Sequence, residues 1–209
     1  MNILLSAALF LTILLAGMRR QDHAAIALGL QAGALGGLTV WLAAAGSTPE
    51  LYLAGLLTLA VKGVAVPLVL LRVLRRLERK VDPHPMLAPE LAVTLAAGLL
   101  VLAKAVIPAG LFGALAFADF VAFGSGMILV GLLMMVTRRQ VIAQVEGLVV
   151  MENGIYLAVL GATRGMPFVV ELGVLFDLLV AVLIMGSLTL RIGTTLDSLN
   201  TDRLRDLKG

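Results

Sequence analysis

No cysteine occurs anywhere in the 209 residues. That excludes thiolate ligation of an iron–sulfur cluster, structural disulfides and thiol catalysis in this chain. Histidine is nearly absent as well. His23 and His84 both fall in polar connections, so no histidine pair sits within an apolar span to hold a haem, and no electron-carrying role is expected. Charge is scarce: Asp, Glu, Lys and Arg make up 14% of the chain, against roughly 25% in an ordinary soluble domain. Aromatics stand at 5%, and neither short alternating strands nor aromatic girdles are visible, which excludes an outer-membrane barrel. What remains is apolar. At 60% hydrophobic residues a soluble fold of this size could not hide its greasy surface, so a water-soluble enzyme is excluded. The net charge of +3 needs no nucleic acid to explain it; in a membrane protein the question is on which side the positive residues fall.

Apolar runs of about 18 to 25 residues cross a hydrocarbon core roughly 30 Å thick as helices. Seven are expected, over 2–18, 23–45, 51–74, 87–107, 112–137, 141–163 and 168–192. The fold class is therefore all-α, a polytopic transmembrane bundle. The first run has its arginines after it and no small-residue cleavage site, so it reads as a retained span and not as a signal peptide. With the spans alternating, Arg19, Arg20, Arg72, Arg75, Arg76, Arg79, Lys80, Arg138, Arg139, Arg191, Arg203, Arg205 and Lys208 share one side. This bias places the N-terminus outside and the C-terminus in the cytoplasm. The tail 193–209 is polar with spaced leucines, a candidate interfacial helix or docking strap. RRQDHAAIALGL (19–30) resembles RRQVIAQVEGL (138–148), which suggests parallel repeats of three helices joined by the fourth. Gly29, Gly33 and Gly37, four residues apart, predict one helix face open to close backbone approach.

Ionisable residues inside the spans carry the functional signal. At mid-bilayer each costs about 2.5 to 3.5 kcal/mol on insertion scales, so each should face a partner, a cavity or an ion path. Lys62, Glu152 and Asp177 lie midway along spans 3, 6 and 7. Asp119 sits somewhat outside the middle of span 5. Lys104 lies near the outer end of span 4, placed to snorkel outward or to pair with Asp119. Glu171 lies near the outer end of span 7, and Glu90 and Glu146 near the cytoplasmic surface, where hydration is the plain reading. A carboxyl in low dielectric resists ionisation and a nearby ammonium reverses that, so alternating acids and lysines can pass protons where waters bridge them. The expected path is Glu152, Asp177, Lys62, Asp119 and Glu171, with Lys104, Glu146, Asn153 and Tyr156 as candidate relays or partners. Asn153 lies about 100° around the helix from Glu152 and should meet a different neighbour. Tyr156 shares Glu152's face.

The stretch SGMILVGLLMMVTRRQVIAQVEGLVVMENGIYLAVLGA (125–162) resembles the K subunit of bacterial respiratory complex I. That subunit has three helices, a basic turn after the first, and a Gly-Leu-Glu pattern in the second. Here Gly147-Leu148 is followed by Val149, and the acid appears three residues later at Glu152. Asp177 and Asp197-Ser198 occupy places similar to the second carboxylate and the polar tail, with Glu171 a competing match. Seven spans, Met151-Glu152-Asn153-Gly154-Ile155-Tyr156, Glu171 to Asp177, and Lys62 followed by Pro67 resemble the hydrogenase-4 component E family over essentially the whole chain.

The resemblance implies a non-catalytic membrane subunit of a group 4 [NiFe]-hydrogenase or formate hydrogenlyase-type assembly, in a bacterial or archaeal cytoplasmic (inner) membrane. It implies antiporter-like and other small membrane subunits as partners, with peripheral hydrogenase subunits reached through the complex. The lipid bilayer is its surroundings, and no nucleic acid is expected. Nickel–iron and iron–sulfur centres would sit in partner subunits, with no cofactor in this chain. The organisation expected is an N-terminal part (1–110), a K-subunit-like three-helix unit (111–192) and the tail (193–209). By the resemblance Glu152 and Asp177 take the paired-carboxylate role. Competing readings are a Na⁺ path, with oxygen ligands from Asp119, Glu152, Asn153 and Asp177, and a scaffold whose charges pair only for packing. An intramembrane aspartyl hydrolase built on Asp119 and Asp177 requires the two carboxyls in contact and lacks a Gly-x-Gly-Asp context.

Overall fold

The computed structural model describes residues 3–46, 49–75, 86–107 and 115–163. Within them the chain forms six helices: α1 (Ile3–Gly17), α2 (Gln21–Gly46), α3 (Pro49–Leu74), α4 (Pro89–Val106), α5 (Leu115–Thr137) and α6 (Val141–Ala162). Their bounds follow the first six apolar runs to within a few residues. The seventh run, with Glu171 and Asp177, and the tail lie outside the described residues. Five helices are long and apolar enough to cross a membrane, and α1 is a shorter apolar helix. The chain is a multi-pass membrane protein. His23, expected in a connection, is instead an exposed residue of the first turn of α2.

Beside its apolar core the bundle buries an unusual number of polar side chains. Thr12, Gln21, Gln31, Thr39, Thr58, Lys62, Arg138, Glu146, Glu152 and Asn153 are all buried, while Phe10, Leu30, Trp41, Leu53, Leu68 and Val101 are exposed. Polar groups turned inward and apolar ones outward suit a hydrocarbon solvent, in which an unsatisfied polar group has no water to bond.

Glycine sets how closely the helices approach. Along the face that α5 and α6 share, glycines recur every seven residues: Gly124 and Gly131 on one, Gly147, Gly154 and Gly161 on the other. A Cβ on Gly154 would stand 2.7 Å from the Gly124 carbonyl oxygen and from the Ile128 nitrogen. One on Gly131 would stand 2.6 Å from the Met151 nitrogen, and one on Gly161 2.7 Å from the Phe117 carbonyl oxygen. The two backbones are therefore in direct contact along the whole pair.

The stripe expected at Gly29, Gly33 and Gly37 divides. Gly29 meets Pro67 and the Gly63 carbonyl of α3, whereas Gly37 only reaches the Leu4 side chain of α1 at 3.6 Å. The close partner of Gly29 along α2 is Gly36, which meets Leu59 and the Gly55 carbonyl of α3. A four-residue step overshoots a full turn by about 40°, while a seven-residue step falls only about 20° short of two. The seven-residue spacing therefore holds a straighter seam. The paired sequences 19–30 and 138–148 also pack differently: Gly29 faces the helix that follows it, and Gly147 the helix that precedes it.

Helix α3 is continuous but changes register midway. Leu59–Ala65 is a π-helical segment, in which the Val66 amide donates to the Val61 carbonyl. Pro67, buried just beyond it, has no amide hydrogen, and its ring would strike the carbonyl of Gly63 in a regular helix. The wider π turn relieves that clash, and such turns recur where function needs a side chain re-aimed. Lys62 lies within it.

At one end of the bundle the termini of three helices meet. Arg138, after α5, donates to the Ala16 carbonyl of α1 at 2.7 Å, and the Met86 amide, before α4, donates to the Thr137 carbonyl at 3.1 Å.

Candidate functional site

The π turn of α3 and the middle of α6 bring together two residues far apart in sequence. Lys62 Nζ lies 3.5 Å from Glu152 Oε2, with side chains 3% and 5% exposed. Opposite charges hidden from water at this distance interact far more strongly than on a surface, because little solvent screens them. Lys104 and Asp119 form a second ion pair among the described residues, between α4 and α5, with side chains 40% and 29% exposed. The Lys104 ammonium also stands 5.7 Å from the centre of the Phe123 ring. This second pair is open at its edge; the first is enclosed.

Asn153, a third of a turn from Glu152, faces α2. Its Nδ2 donates to Gln31 Oε1 at 3.0 Å, and Gln31 Nε2 donates to Thr12 Oγ1 of α1 at 2.6 Å. Thr12 in turn donates to the Ala8 carbonyl at 2.8 Å. One turn beyond Glu152 the Tyr156 hydroxyl shares a hydrogen bond with Thr39 Oγ1, also of α2, at 2.8 Å. Glu146, expected near hydrated surface, is instead 2% exposed. It lies against the Gln21 amide at the start of α2; with Nε2 turned toward the carboxyl, Gln21 donates to Oε2 at 2.8 Å and to Oε1 at 2.9 Å. Glu90 is exposed in the first turn of α4. Asp119 and Glu152 engage different lysines on different helices.

Lys62 and Glu152 thus face each other mid-span in a chain that has known relatives. It is 30% identical over 149 residues to hydrogenase-4 component E of Escherichia coli K12, covering 71% of this chain and 69% of that protein. The chain belongs to the hydrogenase-4 component E family. The component E of Shigella flexneri matches to the same extent. The protein Rv0085 of Mycobacterium tuberculosis is 35% identical over 82 residues, which is 39% of this chain and 37% of that relative; the chain thus spans little more than a third of it. No family model matches, and no solved structure matches.

This component E chain offers no thiolate for a nickel–iron or iron–sulfur centre. The sequence holds no cysteine, and among the described residues no group of three His, Asp or Glu side chains converges to hold a metal ion.

Thr12, Gln21, Gln31 and Thr39 escaped the reading of charges, because single uncharged polar residues are common in membrane spans. A signal was nevertheless present: Gln31 is an amide in the middle of α2, flanked on both sides by apolar residues and glycine.

Proposed function

We propose that this chain is a non-catalytic membrane subunit of a proton-translocating hydrogenase or complex I-like assembly, and that its buried ionisable groups lie on the proton path. The observation that carries the reading is the enclosed Lys62–Glu152 pair. A lysine and a carboxyl that balance each other in low dielectric respond together. If the ammonium moves away, the carboxylate loses its compensation and takes up a proton; when it returns, the proton leaves. Redox chemistry at nickel–iron and iron–sulfur centres in partner subunits would supply the driving change, reaching this chain through antiporter-like and other small membrane subunits. Asp177 and Glu171, and Asp119 beside Lys104, would continue the path toward those neighbours.

The test is proton translocation by the assembled complex in proteoliposomes. Glu152→Gln and Asp177→Asn should each leave assembly and redox turnover in place and lower translocation by about 10²-fold, the usual scale for removing a proton-transferring group. Parent-like translocation in both variants refutes the reading. The engagement of both intramembrane lysines, Lys62 and Lys104, by carboxylates favours a scaffold as the second reading. Loss of assembly in every charge-to-neutral variant, with no separable transport defect, would establish that instead.

A further inference from the structure

Glu146 is a second buried carboxyl, on another helix face and at another depth. It precedes Glu152 by six residues, about 9 Å along α6, and lies about two turns from the Arg138-Arg139 turn. Glu146 and Asn153 are seven residues apart and so share a face. That face meets α2 at Gln21, Gln31 and, about two turns further along α2, Thr39. Two polar contacts, at Gln21 near the arginine-rich end and at Gln31 near the level of Glu152, thus lie on the α2–α6 seam, about 10 Å apart along α6.

The Gln21 amide beside Glu146 suits a group that changes protonation. An amide carries a donor and an acceptor at nearly equivalent positions. With Nε2 toward the carboxyl, Gln21 donates to both oxygens of a carboxylate, at 2.8 and 2.9 Å. Rotated by half a turn, its oxygen occupies the same place and accepts the hydrogen of a neutral carboxylic acid. Gln21 is fully buried, and a turn of its amide alone gives Glu146 a bond in either state.

We propose that Glu146, held by Gln21, is a proton-binding site at the arginine-rich end of the bundle that exchanges protons with Glu152 along the α2–α6 seam. This rests on the proton-path reading above. A proton taken from the aqueous side converts Glu146 carboxylate to the acid. Its transfer through bridging waters to Glu152 carboxylate restores Glu146 for the next cycle. Glu146 is the exchanging group and Gln21 a positioning residue.

The experiment uses the complete complex in proteoliposomes and compares Glu146→Gln, Glu152→Gln and Gln21→Leu. Alongside translocation, acid-minus-base infrared difference spectra read the carboxylic C=O stretch directly. The expected result is translocation lowered about 10²-fold in Glu146→Gln, loss of one carboxylic band in that variant, and displacement of the same band in Gln21→Leu, which keeps the carboxyl but removes the amide beside it. Parent-like translocation in Glu146→Gln with impairment in Glu152→Gln overturns this inference and leaves the path reading standing. Parent-like translocation in both removes the path reading as well. If Glu146→Gln does not assemble, the Gln21→Leu spectrum decides: a displaced carboxylic band supports the site, and a spectrum identical to the parent's overturns it.

Discussion

Lys62 and Glu152 each give up hydration for the other, and neither could be buried alone at tolerable cost. Removing one partner of such a pair leaves an uncompensated charge, worth about 3 to 5 kcal/mol. Replacing both with neutral groups of similar volume comes close to restoring the balance. Lys62→Met should therefore lower stability by about 3 to 5 kcal/mol in thermal unfolding of the detergent-solubilised protein, and adding Glu152→Gln should recover most of it. Glu152→Gln alone also leaves the ammonium's charge uncompensated, but its amide oxygen offsets part of the loss, so it should cost less than Lys62→Met. Additive losses in the double variant would show that the two side chains do not interact. Depth along an apolar run was enough to single out both residues. Their pairing was hidden, because a periodic reading assumes 3.6 residues per turn throughout, and the π segment at Leu59–Ala65 re-aims Lys62. Gln31, Asn153 and Thr12 form a chain across three helices that no single helix pattern displays.

At the scale of the element, glycine spacing distinguishes a contact face from a bystander. A side chain on Gly154 would meet backbone of α5 at 2.7 Å on two atoms, and backbone cannot rotate aside as a flexible side chain can. Gly154→Val should force α5 and α6 apart and lower stability by about 1 to 3 kcal/mol or more, as overpacking does. Gly33→Ala is the matched control. A Cβ there meets nothing within 4 Å, and alanine favours helix over glycine by up to about 1 kcal/mol, so this variant should unfold at an equal or higher temperature than the parent. A larger loss for Gly33→Ala than for Gly154→Val would contradict the packing. Helix positions were legible from apolar run length alone, to within a few residues. Which glycines carry contacts was less legible, since Gly29 and Gly36 differ from Gly33 and Gly37 only by rotation about the same axis. The heptads at Gly124, Gly131, Gly147, Gly154 and Gly161 stood in the sequence, but their meaning depends on the two helices lying antiparallel with the glycines opposed.

At the scale of the molecule, one end of the described residues gathers Arg19, Arg20, Arg138 and Arg139. The hydrogen bonds from Arg138 to Ala16 and from Met86 to Thr137 bring the arginines of the first turn, Arg19 and Arg20, to the same end as Arg138 and Arg139. The opposite end carries the α2–α3 connection, with Glu50 exposed at the start of α3. An excess of Arg and Lys in short loops holds them in the cytoplasm, so the arginine-rich end should face the cytoplasm and Glu50 the outside. The absence of cysteine makes this directly measurable, because one introduced thiol in this chain has no native competitor. A membrane-impermeant maleimide added to intact cells should label Glu50→Cys and not Arg139→Cys, and inverted vesicles should reverse the pattern. Both positions are exposed in the folded chain, so a difference in labelling reports the side of the membrane and not burial within the bundle. The opposite labelling would turn the protein over and place Glu146 at the far surface. Protons would then reach Glu146 from outside the cell, and the order in which Glu146 and Glu152 are protonated during uptake from the cytoplasm would reverse.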